Sequence, residues 1–170
     1  MVDSRDTKTY ISGQIGEHLV AAELGRRGIV ASVLSGNMPE VDILCYRDGR
    51  SLPIQVKAIR RGEISVNLRR YLDIEVVDEH QQVYGINSEL NRDLIFVVVK
   101  IGERVGEDEF FIFRQGVVQD IIFCGHTSWL EKVGGRRPRN PDSMHSAYRT
   151  DQLTEYRENW ALIEAALGGK

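Results

Sequence analysis

The residues Leu94-Ile95-Phe96-Val97-Val98-Val99 form an unbroken apolar run. A strand that is apolar at every position suits the centre of a sheet covered on both faces. Asp93 to Ile101 is therefore read as a central strand, and Glu109 to Arg114 as its hairpin partner, connected through Gly102 to Asp108.

Thr9 to Arg27 reads as a helix, with Ile11, Ile15, Leu19 and Ala22 in one stripe that Val20 and Leu24 widen. Gly28 is its stop signal. Val41 to Tyr46 reads as a strand, Arg47-Asp48-Gly49-Arg50 as a tight turn with an Asp-Gly hairpin signal, and Leu52 to Ile59 as the returning strand. Ile64 to Leu68 fits a third strand, Val117 to Cys124 a strand or a short helix, and Gly134 to Pro141 a loop. Tyr156, Trp160, Ile163 and Leu167 recur at helical spacing, so Leu153 to Leu167 is expected to be a terminal helix. Leu72 to Asn87 has no clear period. The order predicts an α/β fold, a central mixed sheet flanked by helices.

The chain has 170 residues, enough for one domain with a sizeable core. A single domain over 1–170 is expected, with its core at about 9–115 and a C-terminal extension at about 116–170. The net charge of −3 excludes a protein that coats nucleic acid by bulk charge. Cys45 and Cys124 each sit in an apolar run and read as buried thiols rather than a disulfide. No stretch reaches the roughly 18 apolar residues of a membrane helix, and Met1 to Thr9 is too polar for a signal peptide, which points to the cytoplasm and to no membrane partner.

Alternation along Ile54-Gln55-Val56-Lys57-Ala58 puts Gln55 and Lys57 on one face of a strand. The hairpin brings Asp42 beside them, so one strand pair offers a carboxylate, an amide oxygen and an ammonium. Glu17 lies in the apolar row of the first helix, where a carboxylate is costly without a partner, and it reaches the same space if that helix packs on that side. Hard oxygens of this kind suit Mg²⁺. Asp42, the Gln55 side chain and the Val56 carbonyl could hold the ion, Glu17 could bind it directly or through water, and Lys57 could orient a water or stabilise developing charge. A structural ion pair between Asp42 and Lys57 is the competing reading of the same residues.

At these residues the chain resembles the PD-(D/E)xK nuclease superfamily, which includes Holliday junction resolvases and Mrr-like restriction enzymes. The resemblance covers GQIGEHLVAAEL, PEVDILCY and PIQVKAI, about Ser12 to Ala58. It implies a restriction endonuclease-like core, metal ligation by Asp42 and Gln55 with Mg²⁺ or Mn²⁺, a catalytic role for Lys57 and support from Glu17. It also implies a metal-dependent endonuclease acting on DNA. Two departures stand out. Val41 replaces the proline that often precedes the aspartate, with Pro39 three residues before it, and Gln55 replaces an acid. An amide brings no negative charge to a metal; Glu40, two positions before Asp42, could supply it if the strand extends that far.

Between Arg47 and Tyr71 stand seven basic residues, Arg60, Arg61, Arg69 and Arg70 among them, and Arg136, Arg137 and Arg139 add a basic loop. They are candidate phosphate contacts or a solvated surface. Asp73 to Glu89 holds five acids and no Lys or Arg, and is expected to face away from nucleic acid or to meet a partner. His18, His80, His126 and His145 show no catalytic partner by spacing, and Trp129 and Trp160 read as core. Two readings follow: a DNA endonuclease, plausibly a homodimer because cutting two strands usually takes two sites, or a weakened module of the same fold that binds nucleic acid or a protein.

Overall fold

The computed structural model describes residues 4–34 and 40–169, with side chains from residue 7 onward. In chain order the elements are α1 (Ser4–Arg26), β1 (Val30–Val33), β2 (Ile43–Arg47), β3 (Arg50–Ile59), β4 (Glu63–Asn67), α2 (Leu68–Tyr71), β5 (Leu72–Val77), β6 (His80–Ile86), β7 (Ile95–Lys100), β8 (Glu109–Arg114), α3 (Gly116–Lys132), β9 (His145–Arg149), a 3₁₀ segment (Thr150–Tyr156) and α4 (Ala161–Ala166). They fall into two compact units. The first holds Met1–Gly62, Leu94–Phe113 and Leu153–Lys170; the second holds Glu63–Asp93 and Arg114–Gln152.

The first unit is a mixed sheet in the order β1-β2-β3-β7-β8, flanked by helices, the α/β class expected. β1 with β2 and β2 with β3 run antiparallel, and β3 pairs in parallel with β7. Every residue from Ile95 to Val99 is buried, as a strand covered on both faces requires. Asp48 and Gly49, at φ 51° and 79°, form the two-residue turn that closes Arg47 against Arg50. Both central residues are left-handed, the twist an antiparallel hairpin favours.

α1 lays Val20 and Leu24 into a core with Ile43, Ile54, Val97, Val99 and Ile112. Its end is fixed by Gly28 at φ 70°. The Ile29 amide donates to the Leu24 carbonyl and the Gly28 amide to the Gly25 carbonyl, each at 3.0 Å, and Leu24 and Ile29 bury together. At Gly16 the helix comes so close to β3 that an added Cβ would lie 2.5 Å from the Ala58 Cβ.

The second unit contains two antiparallel ribbons, β4-β9 and β5-β6, together with α2 and α3. Leu72 to Asn87, without a readable period, is the β5-β6 hairpin, bulged between Asp73 and Ile74. A bulge breaks the alternation on which strand reading depends.

Two expectations are corrected and one is narrowed. Leu153 to Leu167 is not one helix but a 3₁₀ segment and the short α4. Glu158 breaks it at φ 54°, with its amide donating to the Phe110 carbonyl at 2.8 Å. Val117 to Cys124 lies inside α3 and is fully helical. Cys45 is buried, but Cys124 is exposed on α3. Among the described residues no helix is long and apolar enough to cross a membrane.

Candidate functional site

Asp42 stands where β2 and β3 diverge. The ladder pairs Ile43 with Ile54, so continuing it by one residue puts Asp42 across from Gln55. There the chain departs from the ladder. The Asp42 amide donates to the Ile54 carbonyl at 2.9 Å, and its Oδ2 accepts the Val56 amide at 2.7 Å. The carboxylate thus takes the place of a missing strand carbonyl, in a charge-assisted bond of the strong kind. In an extended strand the N–H and C=O of one residue point to the same side, so the Val56 carbonyl is directed to this edge too.

Gly16, with no Cβ, lets α1 settle on Ala58 and Val56, and the charge of Asp42 acts on the next helix residue, Glu17. Burial first, and the charge of Asp42 second, hold the Glu17 carboxyl above the ordinary carboxylate range, against an opposing pull from His18. Two half-buried carboxylates therefore share a field.

Gln55 is half-buried and Lys57 exposed on β3, alternating with Ile54 and Val56, which pack toward α1. Among the described residues no salt bridge joins Lys57 to Asp42. Glu40 is exposed at φ 66° and β2 begins only at Ile43, so the alternation that would put Glu40 on the face of Asp42 does not apply. Pro39 lies outside the described residues.

The donor set fits a hard divalent cation in kind. It offers oxygen only: two carboxylates, the Val56 carbonyl and, on the face of β3 turned away from α1, the Gln55 amide. It is sparing in charge: among the described residues no group of three or more His, Cys, Asp and Glu is placed to hold a metal ion.

The basic candidates divide between the units. In the first, Arg61 is exposed and the exposed Arg60 donates from Nε to the Ser12 hydroxyl at 3.2 Å. In the second, Arg69 and Arg139 are exposed, Arg136 is paired with Glu79, and Arg70 lies 5.9 Å over the Tyr71 ring. Arg137 is half-buried over Trp129 in a cleft that sequence reasoning missed. The signal was His126 and Trp129 three apart on what proves to be a helix.

His126 is buried and structural, with its Nε2 3.0 Å from the Gln81 side-chain oxygen. Burial, and secondarily Arg137, push it down to about 4. Trp160 is buried in the first unit, whereas Trp129 is only partly covered.

No protein-family model matches the chain, and no curated protein matches it. Among solved structures it is similar to a bacterial homing endonuclease, I-Ssp6803I, at 15% identity and a TM-score of 0.48, over 91% of this chain and 92% of that chain. A likeness of that size carries no weight for function, which is read from the site residues.

Proposed function

We propose that the chain is a divalent-metal-dependent endonuclease of the PD-(D/E)xK kind, hydrolysing phosphodiester bonds of DNA. One observation carries the reading: the Glu17 carboxyl feels the charge of Asp42, whose Oδ2 holds the Val56 amide on the strand that also carries Gln55 and Lys57. Asp42, Gln55 and the Val56 carbonyl would hold Mg²⁺ or Mn²⁺, with Glu17 beside them. The ion would supply an acidified water and charge neutralisation at the phosphate. Asp42 is oriented for this by the Val56 amide, which occupies one of its oxygens. Lys57, without a structural ion pair to Asp42, would offer its ammonium to the phosphoryl oxygens as they gain charge, or to the attacking water. A homodimer would place two such sites on the two strands of a duplex.

The test is cleavage of supercoiled, branched and single-stranded DNA by the purified protein with Mg²⁺ or Mn²⁺. Lys57→Ala should abolish cutting and leave the melting temperature near that of the parent. No cleavage of any of these substrates with either metal would overturn the reading.

Gln55 favours a second reading, a weakened site that binds nucleic acid or a protein without cutting. Metal titration calorimetry separates the two. Heat that disappears in Asp42→Ala supports the enzyme; no heat at millimolar metal supports the module.

A further inference from the structure

The second unit holds a cleft of about 340 Å³ walled by α3 on one side and β9 on the other. Ile121 and Trp129 of α3 give it apolar surface over the buried Ile122, and Arg137, His145 and Gln152 add polar groups. No Asp or Glu lines it. Arg137 is held in place: its guanidinium lies 5.4 Å over the Trp129 ring, and Nη1 donates to the Ser143 carbonyl at 3.0 Å. Among the described residues it has no carboxylate partner, unlike its neighbour Arg136, which is paired with Glu79.

A guanidinium has five N–H donors in a planar fork, and one hydrogen bond leaves most of that fork unspent. A half-buried guanidinium without a counter-ion is open to an anion from solution. His126 does not fill that role. It is neutral, and its Nε2 is engaged by Gln81. The cleft therefore offers a fixed cation, uncovered apolar surface beside it, and no acid to repel an anion. A planar fork suits the oxygens of a phosphate, and an apolar wall suits the ring attached to one.

We infer that this cleft is a nucleotide-binding site, with the phosphate on Arg137 and the sugar or base against Ile121 and Trp129. The nucleotide is either free or a unit of a nucleic-acid strand; the chemistry recognised is the same. The site is separate from Asp42 and Lys57, and the inference does not depend on the nuclease reading.

The experiment uses the whole chain in buffer with EDTA, so that metal-dependent chemistry is silent. Inorganic phosphate, a deoxynucleoside 5′-monophosphate and a short single-stranded oligonucleotide without terminal phosphate are titrated by calorimetry, with tryptophan fluorescence as a second readout. The mononucleotide or the oligonucleotide should bind saturably, and phosphate should compete. Arg137→Gln should weaken binding by about tenfold or more, the loss of a charge-assisted fork. Binding of the mononucleotide alone assigns a free ligand; tighter binding of the oligonucleotide assigns a strand. Should Arg137→Gln misfold, Ala147→Met, which narrows the cleft from β9, should lower affinity with the arginine intact. Absence of saturable binding by all three probes at roughly 10 mM, a concentration at which even about 1 mM affinity saturates, would overturn the site. So would unchanged affinity in the folded variants.

Discussion

Replacing Gly16 by alanine tests the contact that delivers Glu17. In an ordinary helix interior the change would be favourable by about 1 kcal/mol, because glycine loses more backbone freedom on folding. Here the new methyl would sit 2.5 Å from the Ala58 Cβ, 3.5 Å from its Cα and 3.6 Å from the Val56 Cγ1. Carbon atoms rest at about 3.5–4.0 Å, so one contact is short by roughly 1–1.5 Å. Ala58 has no rotamer by which to yield, and its strand is tied to β7 through the pair Ala58–Val99. Overpacking of this kind costs about 1–3 kcal/mol, which gives a net loss of about 0–2 kcal/mol after the propensity gain. Urea denaturation of Gly16→Ala, Ala58→Gly and the double variant measures the term directly. The two changes should couple by about 1–2 kcal/mol, the double variant being more stable than the sum of the singles. Cleavage should fall in Gly16→Ala and recover in the double variant, because displacement of α1 carries Glu17 with it. Stabilisation of Gly16→Ala by the full propensity increment, with no coupling to Ala58, would refute the close approach.

Asp42→Ala should destabilise the fold by about 1–3 kcal/mol in denaturant, because it leaves the Val56 amide without its carboxylate. Glu17 has a raised pKa in the folded state, so the folded chain binds its proton more tightly than the unfolded chain does. Stability should therefore decline as pH rises through the range between the ordinary glutamate pKa and the folded one, and Glu17→Gln should flatten that part of a melting-temperature profile. Tyr148 is 1% exposed and its hydroxyl has no hydrogen-bond partner among the described residues. Tyr148→Phe should be neutral or stabilising by up to about 1 kcal/mol in thermal melts; a loss of more than that would reveal a partner. Gln55→Glu should tighten Mn²⁺ binding in calorimetry and lower stability without metal, since a third carboxylate joins two that already repel; an unchanged metal response would remove Gln55 from the site.

The first unit was legible where its signals are local. Asp48-Gly49 fixes the turn, the turn fixes the register, and the register sets Asp42 one residue beyond the last pair, Ile43–Ile54. Gly28 ended α1 for a reason a sequence can carry, a left-handed backbone. The contact of Gly16 with Ala58 was not legible, since it joins residues of two different elements. The edge strand β1 was missed because only four residues form it, half of them exposed. The second unit was nearly opaque. β9 is five residues long and takes its partner, β4, from far back in the chain. Its register is set by that distant strand, and no period within His145–Arg149 announces it. The terminal helix was misread because Trp160 and Ile163 are buried whether or not Glu158 interrupts the helix between them and Tyr156.

The structural use of Asp42 and its proposed use at a metal are not rivals. As a structural group it satisfies the Val56 amide where the strands part, and for that a single carboxylate is enough. A purely structural edge would gain from pairing this charge with the ammonium two residues along β3. Instead no salt bridge joins the two among the described residues, and a second carboxylate is brought against the first, raising the cost of ionising Glu17. Juxtaposed acids lower stability unless a cation joins them. A perturbed carboxyl with an ammonium on the adjacent strand is the pattern that proton and phosphoryl chemistry uses. The proposed nuclease draws on an unfavourable electrostatic arrangement that folding does not require.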